Sequence, residues 1–157
     1  MYQGMSIGVV IPAKNEAKHL PDVLRTIPDF VDKVVVVDDG STDGTGKLAG
    51  EAELVRLEGE GVGAAIDSGH QRLLELFDGE FVSIVMAGDG QMDPSDMIAL
   101  IKPISSNQAH HVKGERLDRA GKMPLIRRFG TFLLSTLTTL ACGQTIRDSQ
   151  CGYTATS

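Results

Sequence analysis

Tryptophan is absent from this chain, and phenylalanine and tyrosine bring the aromatic content to only 4%. A platform that stacks the bases of single-stranded nucleic acid needs more rings than that. Positive charge is also in deficit. Fifteen Lys and Arg stand against 21 Asp and Glu, giving a net charge of −6, which argues against a broad electrostatic hold on nucleic acid. Cysteine is scarce: Cys142 and Cys151 make neither a disulfide framework nor a four-ligand zinc site. They read as reduced thiols of a cytosolic protein. No charged run precedes the first apolar segment, so no signal peptide is expected. The longest apolar stretch, 129–142, is too short and too rich in Ser and Thr to span a bilayer. There is no internal repeat, low-complexity tract or linker. The tail 151–157 shows no closing element, as in a chain cut within a longer protein.

What is present is enough for one domain over 1–157, since 41% of the 157 residues are hydrophobic. Buried strands are expected at Ile7–Ile11, ended by Pro12, at Val34–Val37 and at Phe81–Met86, with a weaker one at Glu53–Leu57. A helix beginning at Asn15 and Glu16 would carry Leu20, Val23, Leu24 and Ile27 on one face, with Pro21 in its first turn. A second helix, Ala64–Phe77, would turn Ile66, Leu73, Leu74 and Phe77 inward, and a third covers about 95–102. Ala109–Lys113 reads as a strand, Leu125–Ala141 as a helix, and the span 145–153 as a last strand. Alternating strands and helices with near-continuous apolar strands describe a parallel-rich sheet covered on both faces.

The stretch that organises the chain is Met86-Ala87-Gly88-Asp89-Gly90-Gln91-Met92-Asp93-Pro94. A carboxylate just past a central strand lies in the crevice where open α/β sheets bind ligands. Glycines at 88 and 90 let backbone approach a ligand. Oxygen ligands at Asp89, Gln91 and Asp93 suit a hard cation, Mg²⁺ or Mn²⁺, which in turn holds a diphosphate. A solvated acidic turn would show the same residues, so the neighbouring loops decide. Two more polar loops follow strands: Pro12-Ala13-Lys14-Asn15-Glu16 and Asp38-Asp39-Gly40-Ser41, where Ser41 or Thr42 can cap a short helix. In a doubly wound sheet the three loops converge, offering acceptors and helix N-termini to a nucleotide. No G-x-G-x-x-G follows the first strand, which disfavours a dinucleotide domain. The segment 39–44 copies half of a calcium loop, but Gly50 occupies the position that needs Glu. His110 and His111 alternate faces on a strand and read as edge residues rather than ligands.

Taken in order, Val9–Glu16, Val36–Thr45, Gly61–Ala65 and Gly88–Pro94 resemble family 2 glycosyltransferases. The stretches Val112–Arg116 and Asp148–Tyr153 are similar to the branch that includes dolichyl-phosphate mannosyl- and glucosyltransferases. The resemblance implies a GT-A fold, a Rossmann-like mixed and mostly parallel sheet. It also implies a UDP- or GDP-linked sugar donor, a divalent metal, inversion at the anomeric carbon, and a polyprenyl (dolichyl-type) phosphate acceptor.

By resemblance, Pro12, Ala13, Asn15, Glu16, Asp39 and Gly63 bind the nucleotide, with Asn15 shaping its loop and Asp38 bracing the next. Asp89 matches the second Asp of the family's Asp-x-Asp motif, Gln91 the downstream amide, and Asp93 takes a share of the metal. Ala87 stands where that motif has its first Asp, Lys14 where an aromatic ring is common, and Val62 where a basic residue is common. Asp89, Arg116, Arg128 and Asp148 carry the catalytic expectation. Lys113, Arg116, Arg127 and Arg128 hold the acceptor phosphate, since guanidinium groups match phosphate oxygens in bidentate fashion. A sugar hydroxyl acceptor would instead need Asp148 as base, and a nucleotide-binding module without turnover is the remaining alternative. The basic start of the helix at Arg127 and Arg128 places the chain in the cytoplasm at the membrane's cytoplasmic face.

Overall fold

The structure, a computed structural model, describes residues 1–115 and 151–157. The chain divides into two compact units, residues 1–112 with 153–157, and residues 113–152. The elements run β1 (Ser6–Ala13), α1 (Leu20–Arg25), β2 (Lys33–Asp39), β3 (Glu53–Leu57), α2 (Val62–Leu76), β4 (Phe81–Val85), α3 (Met97–Ser105), β5 (His111–Lys113) and β6 (Thr154–Thr156). The expected helix at 125–141 and the stretch 145–150 lie outside the described residues.

The described strands form one six-stranded sheet in the order β3-β2-β1-β4-β6-β5. β3, β2, β1 and β4 are parallel, and β6 runs antiparallel to β4. The chain therefore winds outward from β1 to β3 and then returns to β4 on the other side of β1. That reversal opens a crevice beyond the carboxyl ends of β1 and β4. β1 is buried on both faces, with Ile7, Val9, Val10 and Ile11 fully enclosed, as a central parallel strand requires. One face packs on α2 through Val10, Val35, Val37, Ala65, Leu73 and Val85. The close approach of α2 depends on Gly69: a Cβ there would stand 2.3 Å from the Val10 side chain.

Four expectations change. β1 runs through Pro12 to Ala13, because Pro12 stands next to the strand end, where a missing donor is tolerated. The first helix starts at Leu20 rather than Asn15, which sits at φ +57. That left-handed conformation cannot belong to a right-handed helix. In α2, Leu73 is buried and Ile66 and Phe77 pack against the core as expected, but Leu74 is 66% exposed, and Ala65 and Gly69 complete the buried stripe; one residue of offset turns a side chain by a large part of the helix circumference. The described part of the expected last strand, 151–153, is not strand, and the strand there is instead Thr154–Thr156, inserted between β4 and β5.

Candidate active site

The loops after β1 and β2 are laced to each other by side chains. The Asn15 amide donates to Ser41 Oγ at 2.9 Å, and Asn15 Oδ1 accepts from the Thr42 amide at 2.9 Å. The Glu16 amide donates to Thr45 Oγ1 at 2.8 Å, and the Ala17 amide to Asp43 Oδ2 at 3.0 Å. Hydrogen bonds from Thr45's hydroxyl and Ala17's amide hold the Asp43 carboxyl below the usual carboxylate range. Ser41 and Thr42 are therefore not helix caps. The following 3₁₀ turn, Thr45–Leu48, begins at Gly44 without a side-chain cap. These cross-links fix the path of Asn15 and Glu16. Asp43 and Thr45 stand within the stretch that carries the resemblance but had no role assigned; a further signal was the Ser/Thr/Asp-rich turn, the composition that bonds backbone amides locally.

Asp38 and Asp39 end β2, both buried, at 7% and 5% exposure. Asp38 Oδ1 accepts from the Ser41 amide at 2.9 Å, which turns the chain out of the strand. Asp39 reaches further. Its Oδ1 accepts from the Glu60 amide at 2.7 Å and its Oδ2 from the Gly61 amide at 3.0 Å. The Lys14 ammonium lies 3.6 Å away. Burial pushes the Asp39 carboxyl up, but the Gly61 and Glu60 amides, with Lys14, outweigh it and hold the group below its ordinary range. Asp39 thus ties the loop before α2 to the ends of β1 and β2. A Cβ on Gly63, in the first turn of α2, would meet nothing within 4 Å, so that turn is open. The close packing sits lower, at Ala65 and Gly69.

Beyond β4 the chain continues alongside β1. The Met86 amide donates to the Val10 carbonyl at 3.0 Å and the Gly88 amide to the Pro12 carbonyl at 3.3 Å. A Cβ on Gly88 would stand 3.3 Å from that of Ala13, so the close passage of this segment along β1 favours glycine there. Asp89 then stands at the crevice, half-buried, with Oδ1 accepting from the Gln91 amide at 2.9 Å. Asp93 Oδ1 caps the Ser95 amide at 2.9 Å, and the Ser95 hydroxyl and amide hold the Asp93 carboxyl below its usual range. The Asp93 carbonyl accepts from the buried Tyr153 hydroxyl at 3.0 Å. Burial raises the Tyr153 pKa, and the charges of Asp96 and Asp93 raise it further.

Among the described residues no three His, Cys, Asp or Glu side chains gather as a metal cage. A single half-buried carboxylate at Asp89 still fits Mg²⁺ or Mn²⁺, which are held by one or two carboxylates together with substrate phosphates. His110 and His111 are exposed and bond Ser157 Oγ at 3.3 Å and Thr156 Oγ1 at 2.8 Å, as edge residues. Lys113 ends β5 and is exposed. Arg116, Arg127, Arg128 and Asp148 lie outside the described residues.

The loops after β1, β2 and β4 thus meet along one edge of the sheet, with Pro12, Ala13, Asn15, Asp39 and Asp89 on them. Known proteins resemble this chain in sequence and fold. A UDP-N-acetylglucosamine–dolichyl-phosphate N-acetylglucosaminyltransferase of Methanococcus voltae is 30% identical over 96% of this chain and 69% of its own length. A polyprenol monophosphomannose synthase of Mycolicibacterium smegmatis is 30% identical over 94% of this chain and 60% of its own. The solved glucosyl-3-phosphoglycerate synthase of Mycobacterium tuberculosis, with Mn²⁺, UDP and glucosyl-3-phosphoglycerate, superposes with a TM-score of 0.69 at 26% identity. That match covers 98% of this chain and 57% of the synthase, so this chain spans little more than half of the solved protein. The fold is therefore GT-A. The family model for glycosyl transferase family 2 matches residues 8–156, and the chain belongs to that family.

Proposed function

We propose that this chain is the donor-binding and catalytic part of an inverting glycosyltransferase that moves a sugar from a nucleoside diphosphate to a polyprenyl phosphate. The observation that carries the reading is the lacing of the β1 and β2 loops, with Asp89 beyond β4 at the same sheet edge. Asp39, with Lys14 beside it, faces the base. The open first turn of α2 at Gly63 offers unpaired amides near the diphosphate. Asp89, helped by Gln91 and Asp93, would hold a divalent ion, which when bound would supply positive charge to the diphosphate leaving group. The acceptor's phosphate oxygen attacks the anomeric carbon as the bond to the diphosphate breaks. That oxygen is already anionic, so no general base is needed. Arg116 and Arg128, with Arg127 and Lys113, hold the acceptor phosphate. The acceptor class is supported by relatives named for dolichyl and undecaprenyl phosphates. No helix among the described residues is long and apolar enough to cross a membrane, and the enzyme is proposed to meet its lipid acceptor at the membrane's cytoplasmic face. A soluble phosphorylated acid is the second acceptor reading, favoured by the likeness to the phosphoglycerate-using synthase.

Calorimetry with UDP and GDP, with and without Mn²⁺, tests the donor site. Because no metal cage is preformed among the described residues, Mn²⁺ alone is expected to bind weakly, and nucleotide at least tenfold more tightly with Mn²⁺ than with EDTA. Failure of either nucleotide to bind overturns the reading. For the acceptor, Arg128→Ala is expected to raise KM for a polyprenyl phosphate several-fold while leaving donor KM nearly unchanged. Equal changes in both constants would refute the assignment of Arg128.

A further inference from the structure

A second pocket lies at the opposite end of β4 from the candidate active site. It has a volume of about 720 Å³, within the range of small-molecule sites. Its origin is a row of small residues. Gly8, Ser83 and Thr156 are neighbours across β1, β4 and β6. Gly8 is covered by Leu73, whose side chain would stand 2.8 Å from a Cβ there, and by Phe77. Among the described residues α2 lies mainly over β1 and β2, and Ser83 and Thr156 line the pocket beside it. Phe81, stacked on Phe77 with ring centroids 4.6 Å apart, forms one wall. Leu74 and Ile104 add apolar surface. The exposed Leu74, unexplained by the core, belongs to this rim.

Two polar atoms in this apolar setting have no partner. Ser83 is 8% exposed, and its hydroxyl makes no hydrogen bond; neither does the buried Nε2 of His70. Both residues line the pocket. Buried polar atoms are rarely left unpaired in native structures, and two at one pocket mark where a ligand would bond. Burial lowers the His70 pKa, against a smaller opposing pull from Asp67, so its ring is neutral at neutral pH. A neutral imidazole nitrogen and a serine hydroxyl can be satisfied together by one alcohol, which both donates and accepts. Charge narrows the choice further. No Lys or Arg stands among the described lining residues, whereas Glu80 does, which disfavours an anion and with it the nucleotide and phosphate ligands of the other edge. We propose that this pocket binds a neutral, largely apolar molecule through a hydroxyl group held between Ser83 and His70.

The test is a titration of the 157-residue chain with 1-octanol, followed by amide and imidazole NMR. Saturable shifts are expected at Val82, Ser83, Thr156 and the His70 ring, with half-saturation below about 1 mM. Ser83→Ala removes a hydroxyl that has no partner in the fold, so the protein stays folded. Affinity is expected to fall about fivefold, the worth of one hydrogen bond. Octyl phosphate should bind at least tenfold more weakly than octanol, and UDP affinity should not change when octanol is bound. Shifts that are scattered or do not saturate would show that only water meets these atoms. Equal affinity in Ser83→Ala, or for octyl phosphate, would also overturn the proposal.

Discussion

Asp89→Asn is expected to abolish metal-dependent nucleotide binding and to lower sugar transfer by roughly two to three orders of magnitude, the scale set by removing one electrostatic contact to a developing charge. The substitution keeps the size of the side chain and an oxygen that can accept from the Gln91 amide, so the turn retains its shape and only the negative charge is lost. The effect is large because this position has little support. Ala87 stands two residues before Asp89, and Asp93 already bonds the Ser95 amide. Asp93→Asn is therefore expected to cost less, within about tenfold. Calorimetry with UDP and Mn²⁺, alongside transfer assays and circular dichroism, separates the two variants. If Asp89→Asn kept its Mn²⁺ dependence and Asp93→Asn lost it, the metal ligand would be Asp93.

The strands were legible because burial on both faces demands continuous apolar runs, and Val34–Val37 or Phe81–Val85 admit little else. The three loops were legible because an abrupt change from valines to Asp, Asn and Gly marks a carboxyl end. Less visible was anything set by contact between distant residues. Asn15 looked like a helix start, since Asn and Glu often stand there. Its side chain instead accepts from the Thr42 amide, and its backbone is left-handed, which a right-handed helix excludes. Leu74 fitted an amphipathic stripe by spacing, but the small residues Ala65 and Gly69 determine which face of α2 meets the sheet. Thr154–Thr156 lacks apolar weight and becomes a strand through its pairing with β4. The partners of Asp39 were out of reach for the same reason: Glu60 and Gly61 lie 21 and 22 residues along the chain.

That last pair of contacts makes Asp39 the other position of large effect. Both carboxylate oxygens are engaged by backbone amides, and Lys14 is beside them. Asp39→Ala would free the Glu60 and Gly61 amides, leave Lys14 without its counter-ion and release the loop that leads into α2. Nucleotide affinity is expected to fall by roughly tenfold to a hundredfold, even if the carboxylate never touched the base. Asp39→Asn discriminates between the two roles. Its amide oxygen can keep one loop amide while its NH₂ faces the other, so the loop is only partly released, but an N–H of a bound base loses its charged acceptor. pH gives an independent reading. The carboxyl is held below its ordinary range in the fold, so its contribution to stability is present above about pH 4. That contribution is lost as pH falls through the lowered value. Wild-type unfolding free energy should therefore drop on acidification below about pH 4 more steeply than that of Asp39→Ala. Calorimetric affinities at fixed Mn²⁺ and urea unfolding across pH 3 to 7 decide the matter. Unchanged affinity in both variants, with parallel pH profiles, would remove Asp39 from the nucleotide site and from the anchoring of its loop.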